Sequence, residues 1–391
     1  MREPREGSHT GRATGMRVLH LFSNYKWTGP AEPAVELVRR LRGLGHEADL
    51  AISAYRKGGD RSSLLEEARA RGVEPIVRFE LRKHFSPVPN LRDARALGRY
   101  LDEKRPDVVH AHLSNDHLVA AIALRGGHRA RLVRSVYEGS PKPPTLRERL
   151  LARRTDLLLV PGRRAAGAWR SAGADSARIR VVDPPLDLER FEPGSAQARA
   201  GLGLSPSDFV VGVVARVQRR RRFDLLLDAI ARARREEPAL RLLVVGRGTR
   251  LEQVAMEPAR ALGLSDAVRF AGYRRGEEYT GTLASMDTLL FLVPGTDGTC
   301  RAVREAMCMG KPAVVTRRGL LPEIVDPGRT GLVVAEEASA VARALVDLAR
   351  DRAACARMGA EAAAEARRRF HPVRHAEAVA AAYAEVCSRP A

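Results

Sequence analysis

Two patterns of hydrophobic and polar residues alternate along most of the chain, one typical of strands and one typical of helices. Short, mostly apolar runs bounded by Gly, Pro, Asn or Asp predict buried strands. In the first half these runs cover residues 16–22, 48–51, 75–79, 108–111, 132–136, 157–160 and 179–182. Between them, apolar residues recur at spacings of three and four, which predicts amphipathic helices over 32–44, 62–71 and 91–104.

The second half repeats this alternation after a segment rich in Pro and Gly. That segment, residues 183–194, is the candidate linker between two domains, and 391 residues are enough for two. Strands are predicted at 210–214, 241–245, 267–270, 289–293, 313–316 and 332–334, with helices at 223–234, 251–262, 300–309 and 373–387. Strands that alternate with helices predict an α/β fold with doubly wound parallel sheets, which bind ligands at the carboxyl ends of their strands.

Composition narrows the class of partner and the compartment. A net charge of +20 favours phosphates, anionic membranes or nucleic acid. Aromatic residues make up only 5%, and basic residues are spread along every predicted helix, so we expect no nucleic-acid partner. The four cysteines form no CxxC pair, which favours a reducing cytoplasm and no metal site. Residues 1–15 lack an apolar core, so we expect a disordered extension and not a secretory signal.

The stretch from Leu289 to Thr316 carries the strongest candidate chemistry. An apolar strand ends at Pro294, a polar loop follows, and a helix is predicted from Cys300. Free N–H groups and the positive end of the helix dipole make such a junction an anion site. Two carboxylates, Asp297 and Glu305, accompany it, so a ligand with both phosphate and hydroxyl groups would fit, as in a nucleotide sugar. The alternative is an ordinary strand–loop–helix unit in which Glu305 is a solvated helix residue.

Eight segments, in this order, resemble the glycosyltransferase group 1 family (family 4), the retaining enzymes of the GT-B fold. They are TGPAEPAVELVRRLRGLGHEADL from residue 28, PDVVHAH from 106, VVDPPLDLERFEP from 181, VVGVVARVQRRRRFDLLLDAI from 210, LLVVGRGT from 242, VRFAGY from 268, the stretch 289–316, and GLLPEIVDPGRTGLVV from 319. The resemblance implies two Rossmann-like domains facing each other across a cleft. The acceptor domain would cover 16–190 and the donor domain 191–371, with the last helix, 372–391, packing back on the first domain.

The resemblance also implies a donor site in the second domain. Arg216 and Arg221 would bind the diphosphate, Asp297 the sugar hydroxyls and Glu305 the ribose. The remaining donor contacts would be the amides of Gly298, Thr299, Cys300 and Arg301, the nucleobase neighbours Gly246 and Tyr273, and the phosphate neighbour Gly29 of the first domain. The family has Glu where this chain has Asp297, which shortens the reach of that acid by ~1.5 Å. Solvated arginines and ordinary turn glycines are the structural alternatives.

The acceptor side departs from the family pattern. The position that often holds a catalytic His is Tyr137 here, followed by Glu138. Tyrosine, with an ordinary pKa of about 10, is a poor base at neutral pH. His112 could offer an imidazole, although a structural role is the alternative. The residues implied in catalysis are thus Asp297, Glu305 and Tyr137.

The implied activity is metal-independent sugar transfer from a UDP- or GDP-linked donor, without a further cofactor. The acceptor would be a hydroxyl of a lipid-linked, polysaccharide or small-molecule glycoconjugate. We expect a cytoplasmic protein, peripheral on the inner face of the membrane through electrostatic contact, in cell-envelope polysaccharide biosynthesis. The departures from the family pattern, which are Asp297, Tyr137, Pro30, Arg222 and Pro185, leave open a non-catalytic GT-B protein that binds a nucleotide sugar or glycan.

Overall fold

The strands of the structure coincide with the predicted apolar runs, except at 75–79, with small shifts at their ends. A computed structural model describes residues 15–56, 58, 61–137, 144–193, 198–294 and 298–390. Its strands are β1 (Arg17–Phe22), β2 (Glu47–Ile52), β3 (Val108–Ala111), β4 (Arg131–Ser135), β5 (Leu157–Val160), β6 (Ile179–Val181), β7 (Phe209–Val214), β8 (Leu240–Val245), β9 (Val268–Gly272), β10 (Thr288–Phe291), β11 (Ala313–Thr316) and β12 (Gly331–Val334).

Helices follow nearly every strand, as the alternation predicts. They are α1 (Ala31–Gly43), α2 (Ser63–Ala70), α3 (Pro87–Lys104), α4 (Ser114–Ala123), α5 (Leu146–Ala152), α6 (Arg163–Ser171), α7 (Phe223–Glu236), α8 (Glu257–Ala261), α9 (Gly276–Ala284), α10 (Arg301–Cys308), α11 (Leu321–Ile324), α12 (Ala338–Arg350), α13 (Arg352–Arg369) and α14 (Pro372–Ser388). Among the described helices, none combines the length and the apolar character that crossing a bilayer requires.

The strands form two six-stranded sheets. Their orders are β2-β1-β3-β4-β5-β6 and β12-β11-β10-β7-β8-β9. The ladders of the second sheet are parallel throughout the described residues. From β7 the chain first winds to one side through β8 and β9, and then returns to the other side through β10. The crevice between the carboxyl ends of β7 and β10 is therefore the topological switch point, the preferred ligand site of such sheets.

The second sheet is buried on both faces. Val211 and Val213 of β7 pack in one apolar cluster with α7 and α12, while Val210 packs in another with α10 and α13. This alternation within one strand explains why β7 is a continuous apolar run: both faces of a parallel sheet are covered.

The chain divides into two compact units. One comprises residues up to Arg134, Arg154–Asp156 and Ala380–Ala391, and the other comprises Ser135–Arg153 and Leu157–Val379. Within the first unit, the hydroxyl of Tyr383 near the end of α14 lies 2.6 Å from Nδ1 of His110 on β3. The expected domain boundaries and the cleft between the halves stay predictions.

One predicted strand and one predicted helix differ in the structure, and several helices, among them α4 and α9, were not predicted. The run 75–79 was predicted as a strand, which is wrong, because only Ile76 forms a bridge, to Ala51. Pro75 has no N–H to give, so pairing cannot extend in that direction. Helix 251–262 begins as a π-helix, Glu252–Met256, before Pro258 in the first turn of α8. α4 has no clear apolar stripe in sequence because it is buried on most sides.

Candidate functional site

Two arginines lie in the loop that follows β7, beside the switch point. Arg221 donates a hydrogen bond to the carbonyl oxygen of Val293, and its guanidinium lies 5.5 Å from the centre of the Phe291 ring. Arg221 therefore sits at the carboxyl end of β10. Arg216 is exposed two residues after β7 and has no hydrogen-bond or ion-pair partner among the described residues. Both cations can reach an anion at this edge.

The helix N-terminus predicted at this edge is present one residue later than expected. α10 begins at Arg301, and its N-cap, Cys300, is buried with φ +52°. Only glycine adopts this left-handed conformation without cost, and other residues lose roughly 1 kcal/mol. Gly298 and Thr299 precede it and are buried as well. No side chain caps α10 among the described residues, and the positive end of its dipole lies at this edge.

Glu305 is a buried carboxylate with a donor on each oxygen. Oε1 accepts from Nε of Arg301 at 2.6 Å, and Oε2 accepts from the hydroxyl of Tyr279 at 2.5 Å. Burial raises the pKa of Tyr279 well above its ordinary value, and the negative charge of Glu305 raises it further. The tyrosine therefore remains a donor at any physiological pH. The alternative of a solvated Glu305 is wrong, because the side chain is almost wholly inaccessible to solvent.

Arg304 is a buried residue next to Glu305 that sequence reasoning missed. Its guanidinium donates to the carbonyl oxygen of Thr299 at 3.1 Å, to Oγ1 of Thr299 at 2.8 Å and to the carbonyl oxygen of Pro184 at 2.7 Å. It thereby fixes the end of the loop that leads into α10. The last six residues of α10, Arg304 among them, are all buried, which the sequence alone does not show. Tyr279 was missed because α9 was not predicted.

The loops after β7 and β8 approach each other so closely that glycine is required. A Cβ on Gly246, whose φ is +142°, would lie 2.0 Å from the carbonyl oxygen of Ala215. Tyr273, just after β9, is exposed, and the guanidinium groups of Arg247 and Arg275 each lie 5.0 Å from its ring centre. Gly246 and Tyr273 thus lie on the same edge of the sheet as Arg216, where the resemblance places the nucleobase.

In the first sheet, the loops after β1 and β3 are joined by a residue that sequence reasoning missed. Asp116 is fully buried and accepts from the backbone N–H groups of Ser23 at 3.0 Å and Leu113 at 2.8 Å. Burial raises the pKa of this carboxyl to about 7, against the opposing charge of Arg134. Gly29 lies in the turn that leads into α1.

His112 lies in a buried histidine cluster. Its Nε2 is 3.0 Å from Nδ1 of His20, and its ring stacks on that of His110 with centres 4.2 Å apart. Within the described residues these three form the one group with metal-ligand potential, their ligand atoms lying within 4.8 Å of one another. The planes of the three rings make angles of 23° to 44° with one another, and Nδ1 of His110 also lies 2.6 Å from the hydroxyl of Tyr383. Spacing could not identify the group because it spans two strands.

Three predicted site residues remain, and the structure describes one of them. Tyr137 follows β4 by two residues and is half-buried. Asp297 and Glu138 lie outside the described residues, so the pairing of Asp297 with Glu305 and both acceptor-side roles stay predictions.

Curated relatives share about a third of their residues with this chain. The D-inositol 3-phosphate glycosyltransferase of Nocardia farcinica is 32% identical over 299 residues, which are 70% of this chain and 64% of that protein. The enzyme of the same name from Corynebacterium jeikeium is 34% identical over 51% of each chain. The chain thus spans less than two thirds of the length of these relatives.

Solved structures and family models cover more of the chain. A glycosyltransferase from Rickettsia africae has a TM-score of 0.80 at 15% identity, covering 96% of this chain and 100% of that one. HepE of Anabaena, solved with UDP and glucose, has a TM-score of 0.76 at 22% identity, covering 94% and 98%. These likenesses confirm the predicted GT-B fold. The model "Glycosyltransferase Family 4" matches residues 29–190, and "Glycosyl transferases group 1" matches 208–351. With both halves matched and the fold confirmed, the chain belongs to the group 1 glycosyltransferases of family 4.

Proposed function

We propose that this protein is a retaining glycosyltransferase that moves a sugar from a nucleoside diphosphate sugar to an acceptor hydroxyl. The observation that carries the proposal is the arrangement at the switch point of the second sheet, between β7 and β10. Arg221 lies at the carboxyl end of β10, where the uncapped N-terminus of α10 and the buried carboxylate of Glu305 follow. A nucleoside diphosphate carries negative charge that the arginines can bind and ribose hydroxyls that a carboxylate can bind.

In this proposal the arginines and the helix N-terminus stabilise the charge that develops on the leaving diphosphate. Such preorganised donors are the usual largest source of catalysis in group transfer, and here they take the role that a metal ion has in other transferases. Glu305 accepts hydrogen bonds from the ribose hydroxyls. Each of its oxygens has a second lone pair, so it can do so without losing Arg301 or Tyr279.

The comparisons suggest which substrates to test first. HepE was solved with UDP and with UDP-glucose, so UDP-sugars come before GDP-sugars. The curated relatives act, by name, on D-inositol 3-phosphate, so phosphorylated polyols come before lipid-linked and polysaccharide acceptors. We place the activity at the cytoplasmic face of the membrane in cell-envelope polysaccharide biosynthesis.

Calorimetric titration of UDP and GDP tests the donor site. Arg216→Ala and Arg221→Ala should each weaken binding of the preferred nucleotide at least about tenfold, because a charge-assisted hydrogen bond contributes about 1.5–3 kcal/mol. Arg343→Ala, at an exposed position on α12, is the matched control and should bind as the wild type does. Unchanged affinity in both site variants would reject the proposal.

Turnover separates the enzyme from a non-catalytic binder. Slow hydrolysis of one UDP- or GDP-sugar without acceptor, unaffected by a chelator, is the expected result. The anomeric configuration of the glycosidic bond formed on a polyol phosphate, compared with that of the donor, reports retention. Tight nucleotide binding with no turnover of any donor would favour the binding protein, which the exchange of the usual glycine for Arg222 also suggests.

A further inference from the structure

The N-terminal end of α3 carries the most exposed large apolar side chains of the first unit. Phe85 is 58% exposed, Val88 61% and Leu91 43%. Val88 and Leu91 lie three residues apart on α3 and so occupy neighbouring positions on its surface, and Phe85 directly precedes the N-cap, Ser86. Single exposed apolar residues are ordinary, but three in one short segment mark an interaction surface. We call Phe85, Val88 and Leu91 the α3 tip.

The exposure of the α3 tip is built into the fold. Both oxygens of the buried Asp93 accept backbone N–H groups of the preceding segment, Oδ1 from Glu80 at 2.9 Å and Oδ2 from Leu81 at 2.8 Å. Nδ2 of Asn115 donates to the carbonyl oxygen of Arg82 at 2.7 Å, so a second buried side chain holds the same segment. Residues 80–82 are therefore tied to α3 and α4, and the α3 tip begins three residues after this fixed segment.

The surroundings of the α3 tip are strongly basic. Residues 82–99 contain five basic residues and one acidic residue, the buried Asp93. Lys83, Arg92, Arg95 and Arg99 are exposed, and none has an ion-pair partner among the described residues. The first turn of α3 also lacks the acidic residue that a helix N-terminus favours. The surface thus presents apolar side chains within unneutralised positive charge.

An anionic lipid surface matches both features. Apolar side chains partition into the boundary between headgroups and acyl chains, and lysine and arginine are attracted to anionic headgroups. A second copy of the chain would bring the same positive charges together across a twofold axis, which opposes dimerisation here. A nucleic acid would need stacking aromatics, and this segment offers only Phe85 before the buried Tyr100.

We propose that the α3 tip inserts into the interface of an anionic bilayer, with Lys83, Arg92, Arg95 and Arg99 binding lipid phosphates. This deepens the proposed function, because it names the surface through which a peripheral enzyme would reach a lipid-linked acceptor. The binding itself requires no donor, so it is measured without one, and it can fail while nucleotide binding and turnover succeed.

Cosedimentation with phosphatidylcholine vesicles, with and without phosphatidylglycerol, tests the proposal. Wild type should partition strongly only to the anionic vesicles. Leu91→Ser should weaken the partition several-fold, whereas Leu262→Ser, at a leucine of equal 43% exposure in the second unit, should leave it unchanged. Arg92→Gln with Arg95→Gln should weaken it roughly 25-fold, since each cation contributes about fivefold, and Arg235→Gln with Arg343→Gln should do so much less.

Melting temperature and solution mass complete the experiment. All variants should melt with the wild type, because the substituted side chains are exposed. The proposal is overturned if the wild type does not sediment with anionic vesicles, or if the control pairs reduce sedimentation as much as the tip variants. It is also overturned if the wild type forms a dimer that Leu91→Ser dissociates, which would make the α3 tip a contact between copies.

Discussion

The hydrogen bond between Tyr279 and Glu305 can be tested by a double-mutant cycle. Tyr279→Phe removes only the hydroxyl that donates to Oε2 of Glu305 over 2.5 Å. A hydrogen bond to a charged acceptor contributes about 1.5–3 kcal/mol, and the carboxylate here is buried and retains only Arg301 on its other oxygen. We expect Tyr279→Phe to lower the free energy of unfolding by about 2 kcal/mol.

The second arm of the cycle isolates the pair. Glu305→Gln removes the charge that makes this hydrogen bond strong, so Tyr279→Phe should cost less in that background. We expect a coupling free energy of about 1.5 kcal/mol. The same cycle with Glu257→Gln, at an exposed position on α8, should be additive within about 0.5 kcal/mol.

Urea unfolding is the assay, read on the transition whose midpoint UDP shifts, because that transition reports the donor-binding part of the chain. Calorimetry on the same proteins should show UDP binding weakened about tenfold in Tyr279→Phe, since Glu305 is no longer held for the ribose. Additive effects in the Tyr279–Glu305 cycle would refute the reasoning, because the tyrosine would then pack beside the carboxylate without stabilising or orienting it.

Three further substitutions test other parts of the structure. Gly246→Ala should cost about 3 kcal/mol and weaken nucleotide binding, because its Cβ meets a backbone oxygen 2.0 Å away, whereas Gly263→Ala, in open space, should cost only about 1 kcal/mol in thermal unfolding. Arg304→Met should lower the free energy of unfolding by about 3 kcal/mol in urea, since three buried hydrogen bonds to the guanidinium are lost. His20 is buried, and desolvation lowers its pKa to about 3. As the pH falls from about 6.5 towards 3, the unfolded chain binds a proton at His20 and the folded chain does not, so the free energy of unfolding falls. His20→Asn should remove about 2 kcal/mol of the stability difference between about pH 8 and about pH 5, and an unchanged difference would show that His20 is charged in the fold.

Sequence predicted the sheets well because both of their faces are buried. Strands such as β7 and β10 are nearly continuous apolar runs, which distinguishes them from the polar loops on either side. The run at 75–79 failed because apolarity alone cannot report how many backbone pairs a segment forms with its neighbour. Ile76 satisfies its own backbone by a single bridge to Ala51, and Pro75 prevents more.

The candidate site was predicted in its chain order but not in its contacts. Glu305 was identified by its position after the loop, and Arg221 by its match to the diphosphate-binding motif of the family it resembles. The hydrogen-bond partners of the site residues come from distant parts of the chain. Tyr279 on α9 donates to Glu305, and Arg304 donates to the carbonyl oxygen of Pro184. A one-dimensional pattern carries no information about such pairings, because they arise only when the loops of adjacent strands meet at one edge.

Backbone strain at the switch point gives the last indication that this edge is shaped for a ligand. Four non-glycine residues have positive φ among the described residues, and two of them, Arg222 and Cys300, are the N-caps of the helices after β7 and β10. Arg222 offsets its cost through ion pairs with Asp224 at 3.1 Å and Glu336 at 2.5 Å. The thiol of Cys300 donates to the carbonyl oxygen of Gly298 at 3.6 Å, and Arg304 holds the same loop at the carbonyl oxygen of Thr299. Strained residues persist only where their surroundings over-determine them. The two helix N-termini beside the switch point are therefore fixed before any anion arrives, which is the condition under which their N–H groups bind it most strongly.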